Sequence, residues 1–143
     1  MRTLLLELRP AALSEAALPD LLRQLGEAVT GRSRVPVTIE VDGQLTLPPD
    51  TRIALYRIAQ ESLNNVAKHS GATQAAVRLT LRPGRVALNI IDDGRGFDPA
   101  SVPGDHLGLR IMRERADAIG AVVTIASEPG EGTEVSVEWL AKS

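Results

Sequence analysis

The chain has 143 residues, a formal net charge of −2 and no cysteine, so it fits one domain that folds without disulfides and has no thiolate metal site. The small net charge gives no broad field for nucleic acid, and three aromatic residues are too few for a base-stacking platform. No apolar run reaches the roughly 20 residues of a membrane span, and Glu7 and Arg9 interrupt the start too early for a signal peptide. We therefore predict a cytoplasmic domain with no nucleic-acid partner and no membrane contact of its own, whatever anchors its parent protein.

The first residues have helical character but no helix that is stable alone. Residues 2–9 end at Pro10, which disfavours helix in the residue before it, and a helix this short is marginal in water. We interpret residues 1–13 as the tail of a longer upstream helix or a linker, and residues 14–143 as the domain itself.

Two longer helices and a strand follow. Leucines at helical spacing predict a helix over Ala16–Thr30, stopped by Gly31, and alternation predicts a strand over Val35–Val41. The clearest helix runs from an N-cap at Asp50 to a stop at Gly71. Its apolar face is predicted to contain Ile53, Tyr56, Ala59, Leu63, Val66 and Ala67.

The second half of the chain is predicted to be mostly strand. A hairpin turning at Pro83-Gly84, one further helix and two further strands are expected. Alternating polar and apolar residues are typical of antiparallel strands with one solvated face. The fold class is therefore an α/β (α+β) two-layer sandwich, with a mixed, mostly antiparallel sheet packed on one side by about three helices. The predicted ranges are Gln74–Leu81, Val86–Ile90, Gly108–Ile119, Val122–Ala126 and Thr133–Trp139.

The long helix carries a polar face that suits phosphate and metal chemistry. At 100° per residue, Glu61, Asn65 and Lys68 lie in one sector, roughly opposite the apolar face. Glu61 can orient or deprotonate an attacking group, the Asn65 oxygen suits Mg²⁺, and Lys68 can meet a phosphate. Taken alone, the same residues equally describe an ordinary solvated helix face.

The segment Asp92-Asp93-Gly94-Arg95-Gly96 follows an apolar strand. A buried carboxylate there can accept a hydrogen bond from an exocyclic amine such as adenine N6, and glycines let the backbone approach the base. The pattern is neither a Walker A loop nor a dinucleotide fingerprint. An ordinary surface turn is the alternative.

Two more glycine-rich segments complete the pattern. The segment Gly104-Asp105-His106-Leu107-Gly108-Leu109 leads into a helix whose free N-terminal amides form an anion site. Fifteen residues of little periodicity, 94–108, predict a mobile lid. Gly130-Glu131-Gly132-Thr133 is a tight turn, and the Thr133 hydroxyl is expected to support Asp92, directly or through water. Loop and hairpin chemistry without function is the alternative for both.

In order and spacing, these segments resemble the motifs of the GHKL superfamily of ATP-binding domains, which includes gyrase, MutL, heat-shock chaperone ATPases and sensor histidine kinases. The resemblance covers residues 50–140 and implies the Bergerat-type ATP-binding fold. Residues 57–69 and 108–116 are similar to histidine kinases of the nitrate-sensor-like subfamily. Glu7-Leu8-Arg9-Pro10 resembles the end of that subfamily's dimerisation helix, which implies that residues 1–13 are a remnant of this helix or a linker. The matching motifs are Glu61-x-x-x-Asn65, Asp92-x-Gly94-x-Gly96, Gly104-x-x-x-Gly108-Leu109 and Gly130-x-Gly132-Thr133.

The resemblance implies a role for each matching residue, with ATP and Mg²⁺ as cofactors. Asp92 would recognise adenine, Asn65 would hold Mg²⁺, Glu61 would position the nucleophile, and Lys68 and His69 would contact phosphate. The phosphoacceptor histidine segment of such kinases is missing. The other cofactor-binding residues implied are Gly94, Gly96, Gly104, Leu107, Gly108, Leu109, Gly132 and Thr133.

We therefore predict the ATP-binding catalytic domain of a two-component sensor histidine kinase. The γ-phosphoryl group of ATP would pass to a histidine on a separate dimerisation domain of the parent kinase, and then to a response regulator. One alternative is an ATP-hydrolysing GHKL domain in which Glu61 activates water. Another is a non-enzymatic nucleotide-binding module that regulates a protein partner.

Overall fold

The computed structural model describes residues 17–95, 107–128 and 130–141, and at 69, 70 and 107–109 it describes the backbone alone. Its helices are α1 (Leu18–Ser33), α2 (Pro49–Asn65) and α3 (Leu107–Ala118), and a π-helical turn, Val66–Ser70, continues α2. Its strands are β1 (Val37–Asp42), β2 (Ala75–Arg82), β3 (Arg85–Asp92), β4 (Val122–Ser127) and β5 (Thr133–Leu140).

The five strands form one mixed sheet in the order β1-β2-β3-β5-β4. Only β1 and β2 pair in parallel, and α2 lies in the connection between them. The other three pairings are antiparallel. The predicted two-layer sandwich with a mostly antiparallel sheet is confirmed.

The core lies between the helices and one face of the sheet. Along β2 and β3 every second side chain is buried, so one face of each strand packs on the helices. Burying a leucine, isoleucine or valine side chain contributes roughly 1.5–3 kcal/mol, and these aliphatic residues form most of the core. The largest fully buried side chains include Leu21, Leu22, Leu55, Ile58, Leu63, Val77, Leu79, Leu88, Met112 and Val137.

The other face of the sheet is solvated and polar. Arginines and carboxylates pair across neighbouring strands at nitrogen–oxygen distances of 2.7–2.8 Å. Exposed ion pairs of this kind contribute little free energy, but their charges keep the open face in water. The pairs are Arg78–Glu40, Arg82–Asp42 and Arg85–Glu138.

Two helix boundaries differ from the sequence prediction. Gly31 does not stop α1, which continues to Ser33. The C-cap is Arg34 in the left-handed region (φ 64°), and its amide donates to Thr30 O at 2.9 Å. Asp50 is not the N-cap of α2, because Pro48 occupies that position and Asp50 lies in the first turn. An acidic side chain there still complements the positive end of the helix dipole.

Several predictions fall outside the described residues. They concern the helical character of residues 2–9, the role of residues 1–13, and most of the predicted lid over residues 94–108. Within the part of the chain that is described, no helix is long and apolar enough to cross a membrane.

Candidate nucleotide-binding site

Four residues form a row across one end of the sheet, on the face that packs against the helices. Asp92 at the end of β3 pairs with Ala75 on one side and Thr133 on the other, and Thr133 pairs with Ser127. Directly paired residues point to the same face of a sheet. Because Ala75 is buried in the core, the Asp92 carboxylate is directed toward the helical layer.

Asp92 is a buried carboxylate with one oxygen available. Its side chain accepts a hydrogen bond from the Gly94 amide at 2.8 Å through Oδ1, and Oδ2 makes no hydrogen bond to the described residues. Burial raises the pKa of Asp92, the Gly94 amide lowers it, and the charge of Asp93 raises it further. A buried carboxylate with one oxygen bonded and the other without a partner in the described residues can accept a hydrogen bond from a donor on a ligand.

Gly132 lets the β5 turn approach the Asp92 backbone. It has φ of +80°, and a Cβ built on it would lie 2.2 Å from the Asp92 carbonyl oxygen, so only glycine fits. The amide of Gly130 also donates to the carbonyl of Arg95. The last glycine turn is therefore attached to the segment that follows β3.

The sequence predicted that the Thr133 hydroxyl supports Asp92 directly or through water. Direct support is not found among the described residues. The Ser127 hydroxyl donates to the Gly132 carbonyl at 3.1 Å and lies 2.8 Å from Thr133 Oγ1. Either hydroxyl could be the donor in this contact, and Thr133 makes no hydrogen bond to Asp92 among the described residues. Thr133 therefore stabilises the turn, and the alternative of support through water stays a prediction.

Asp93 has a role that the sequence did not reveal. Its Oδ1 accepts hydrogen bonds from the amides of Thr73 (2.8 Å) and Gln74 (3.1 Å), and its Oδ2 accepts from the Thr73 hydroxyl. These donors, the Thr73 hydroxyl foremost, hold the pKa of Asp93 below its usual value. Thr73 lies 20 residues before Asp93 and belongs to none of the four motifs, so only the fold connects the two residues.

The polar residues of the long helix are placed at its C-terminal end. Glu61 and Asn65 are half-buried on α2, and Lys68 is exposed on the π-helical turn. None of the three makes a side-chain hydrogen bond or ion pair with the residues that the structure describes. The predicted α-helical alignment ends at Asn65, because a π turn rotates less per residue, and π turns occur often at functional sites.

The helix end and the strand end meet at one edge of the molecule. Gly71 (φ +65°) follows the π turn, and a Cβ built on it would lie 3.3 Å from Arg95 Nε. The hydrogen bonds of Thr73 and Gln74 to Asp93 lie beside this contact. The segment that follows Lys68 is therefore in direct contact with the segment that follows Asp92.

Other predicted site residues are described only in part. Gly96 and Gly104 lie outside the described residues, and His69, Leu107, Gly108 and Leu109 are described by their backbone. The last three form the first turn of α3, where amides without helical partners can receive an anion.

The donor set fits Mg²⁺ bound through nucleotide phosphates. Among the residues described, no group of three or more His, Cys, Asp or Glu could hold a metal alone. Mg²⁺ commonly takes one or two protein oxygens and completes its shell with phosphate and water. An unpaired carboxamide such as that of Asn65 matches this demand.

This α/β sandwich has a buried acceptor at the end of β3, and the polar groups at the end of α2 have no side-chain partner among the described residues. These are features that an ATP-binding α/β domain requires. Residues 50–143 match the family described as "Histidine kinase-, DNA gyrase B-, and HSP90-like ATPase", and the chain belongs to that family. The resemblance read from the motifs is therefore confirmed, while the nitrate-sensor-like subfamily stays a prediction.

Similar proteins are named as a sensor histidine kinase or as sensor proteins. The chain is 38% identical to the sensor histidine kinase LiaS of Bacillus subtilis over 139 residues, which are 96% of this chain and 38% of LiaS. It is 35% identical to the sensor protein VraS of Staphylococcus saprophyticus, covering 96% of this chain and 40% of VraS. The chain thus spans about two fifths of the length of these relatives.

Solved histidine kinases share the fold. The histidine kinase domain of the Erythrobacter litoralis EL346 blue-light activated kinase matches with a TM-score of 0.71 at 23% identity, over 92% of this chain and 68% of that one. The mycobacterial sensor histidine kinase MprB matches with a TM-score of 0.63 at 24% identity, over 86% of this chain and 93% of that one. At these identities the likeness establishes the fold.

Proposed function

We propose that this domain binds Mg²⁺–ATP between the C-terminal end of α2 and the β3 end of the sheet. It supplies the γ-phosphoryl group to a histidine on a separate dimerisation domain of its parent kinase, in the cytoplasm. A response regulator then receives the phosphoryl group. The single observation that carries the proposal is the buried Asp92 carboxylate, which has one oxygen bonded to the Gly94 amide and the other without a protein partner in the described residues.

At the strand end, Asp92 reads the base. Its Oδ2 accepts a hydrogen bond from the exocyclic amine of adenine, while Gly94 holds Oδ1 and so fixes the orientation of the carboxylate. Gly132 lets the β5 turn pack against the Asp92 backbone beside the proposed base contact. Gly96 is proposed to contribute to the same site on the resemblance of its motif alone. A guanine base has a carbonyl where adenine has its amine, so an ionised acceptor rejects it.

At the helix end, polar groups without a side-chain partner in the described ranges hold phosphate and metal. The Asn65 carboxamide oxygen binds Mg²⁺, and Lys68 and His69 contact phosphate oxygens. The first-turn amides of Leu107, Gly108 and Leu109, with Gly104 before them, receive the remaining phosphate charge. The bound ion neutralises charge that develops on the phosphate oxygens.

Glu61 positions the incoming histidine. It lies one helical turn before Asn65, and so it orients the imidazole toward the γ-phosphorus or accepts its proton. Phosphoryl transfer depends mainly on positioning and charge neutralisation, and this arrangement provides both. The name of LiaS, a sensor histidine kinase, supports the kinase assignment.

The test is a transfer assay with this chain, radiolabelled ATP, Mg²⁺ and a panel of isolated histidine-bearing dimerisation domains. We expect label on a dimerisation domain, lost in the acceptor histidine-to-glutamine variant and labile to acid, as a phosphoimidazole is. Addition of EDTA should stop the reaction. A labelled response regulator after a chase would extend the result to the second step.

Two other outcomes would contradict the kinase proposal. Steady ATP hydrolysis by the isolated domain, with no labelled histidine, would indicate an ATPase in which Glu61 activates water. Firm ATP binding with neither hydrolysis nor transfer to any acceptor would indicate a regulatory nucleotide-binding module.

A further inference from the structure

The β3 exit carries two neighbouring carboxylates with different surroundings. Successive strand residues point to opposite faces of a sheet. Asp92 is buried, whereas Asp93, just beyond the strand, is exposed. The proposed base contact therefore uses Asp92, and Asp93 makes no contact there. Its hydrogen bonds instead reach a different part of the chain.

The Asp93 carboxylate collects three donors from a single turn. The amides of Thr73 and Gln74 donate to Oδ1, and the Thr73 hydroxyl donates to Oδ2. In the reverse direction, the Asp93 amide donates to the Gln74 carbonyl at 3.4 Å. A carboxylate that accepts several such hydrogen bonds is held in one orientation and is stabilised in its charged form.

The turn that Asp93 holds is the continuation of the long helix. Lys68 lies on the π-helical turn, Gly71 follows in the left-handed region, and Thr73 comes next before β2 begins. The proposed phosphate-binding residues thus stand on one side of the bonded turn. The base-reading Asp92 stands on the other side, adjacent to Asp93 itself.

We propose that Asp93 is a positioning residue whose carboxylate fixes the span between the base end and the phosphate end of the nucleotide site, a role that rests on the proposed ATP site. Asp93 does not touch nucleotide. It sets where the end of α2 stands relative to Asp92. The affinity for a ligand that occupies both ends depends on this distance. The affinity for a ligand that occupies only the base end does not.

Comparing the affinities for two ligands separates a positioning role from a purely structural one. Adenosine carries the base without phosphates, whereas Mg²⁺–ATP needs Asp92 and the helix end at once. A general loss of fold lowers the affinity for both ligands equally. A change of span lowers the affinity for Mg²⁺–ATP and leaves that for adenosine nearly unchanged.

The experiment measures both affinities by calorimetry for the whole chain and three variants. Asp93→Ala removes every acceptor, and we expect about tenfold weaker Mg²⁺–ATP binding, with adenosine binding changed less than about twofold. Asp93→Asn retains Oδ1 for both amides, and its carboxamide can donate to the Thr73 hydroxyl, so it should restore most of the affinity. Thr73→Val removes the hydroxyl donor alone and should cost about threefold for Mg²⁺–ATP.

The matched control is Asp42→Ala. Asp42 is also an exposed carboxylate with a hydrogen-bonded partner, Arg82, but it lies on β1 on the open side of the sheet. Neither affinity should change in this variant. Circular dichroism checks that each variant is folded, and Thr73→Val carries the test if Asp93→Ala is not.

Equal losses for adenosine and Mg²⁺–ATP, or no loss for either, would overturn the positioning role and leave the ATP site intact. If the unaltered chain bound Mg²⁺–ATP no better than adenosine, the phosphate end of the proposed site would itself be wrong, and the role of Asp93 with it. The two failures are therefore distinguishable.

Discussion

The strand end and the helix end of the candidate site are built differently. At the strand end, Asp92 is held by the Gly94 amide, Gly132 packs against the Asp92 backbone, and Thr133 is bonded to Ser127. At the helix end, Glu61, Asn65 and Lys68 have no side-chain partner in the described residues. The Asp92 side chain is thus held by the protein, whereas the side chains at the helix end are not held by any described residue.

The difference matches the chemistry assigned to each end. A planar base is recognised by one acceptor in a fixed place, because a hydrogen bond to a misplaced acceptor is lost. Phosphates and their cation bring their own charge and water, so the groups that meet them need no protein partner beforehand. We expect changes at the strand end to affect base binding when they alter the Asp92 side chain, and stability when they disturb the turn packed on its backbone. We expect changes at the helix end to affect binding of the metal and phosphates.

The largest effect is expected from Asp92→Asn. The asparagine oxygen can keep the Gly94 bond, which turns the NH₂ group toward the adenine amine and places two donors together. We expect about 100-fold weaker ATP binding by calorimetry, the scale of a lost charged hydrogen bond. Since burial raises the pKa of Asp92 and its charge is costly in the fold, the melting temperature should stay equal or rise. Unchanged ATP affinity would remove Asp92 from base recognition.

The next effect concerns the two glycines of the last turn. Gly130 and Gly132 both have positive φ, 84° and 80°, but a Cβ on Gly130 meets nothing within 4 Å, whereas one on Gly132 meets the Asp92 carbonyl. Alanine at either position incurs the left-handed strain of about 1–2 kcal/mol. Gly132→Ala should lose about 2 kcal/mol more in urea unfolding because backbone must move. Equal losses for the two variants would show that the strand end is not tightly packed.

The smallest effect is a difference in pKa between the two neighbouring carboxylates, measured by carbon NMR. Asp92 should titrate above its usual value of 3.8 and Asp93 below it. The Asp93 contribution to stability is therefore present above pH ~3.8 and is lost as pH falls through its lower folded pKa. For Asp92 the sign is reversed, because its protonated form is favoured by folding. ATP affinity should fall as pH drops through the raised pKa of Asp92, and titration in the reverse order would contradict this picture.

The sandwich was predictable because its signals are local. Alternation along β2, β3 and β5 and the apolar spacing of α2 specify which faces are buried, and burial dominates the fold. Boundaries were less accurate. The end of α1 depends on the Ser33 hydroxyl, which donates to Val29 O and accepts from the Val35 amide, and such local bonds are not evident from periodicity.

The candidate site was predictable only as a set of motifs. Asp92, Asn65 and Gly132 stand in recognisable strings, but the partners of these residues do not. The Thr73 hydroxyl donates to Asp93, and the Ser127 and Thr133 hydroxyls share a hydrogen bond. Both contacts exist only after β2, β3, β4 and β5 have paired. The π turn at Val66–Ser70 was also missed, because an apolar pattern with an α-helical period continues through it.

The central claim is that Asp92 and Asn65 serve one bound nucleotide. The most direct measurement uses the isotope-labelled chain with ATP and Mn²⁺ in place of Mg²⁺, since the paramagnetic ion broadens nearby amide signals. The matched control is Asn64→Ala, because the Asn64 oxygen already accepts from Arg32 at 2.9 Å. We expect ATP-dependent broadening around Asn65 that is kept in Asn64→Ala and lost in Asn65→Ala, with Asp92 shifted by ATP in every case. Broadening that survives Asn65→Ala, or that centres on the open face of the sheet, would contradict the account.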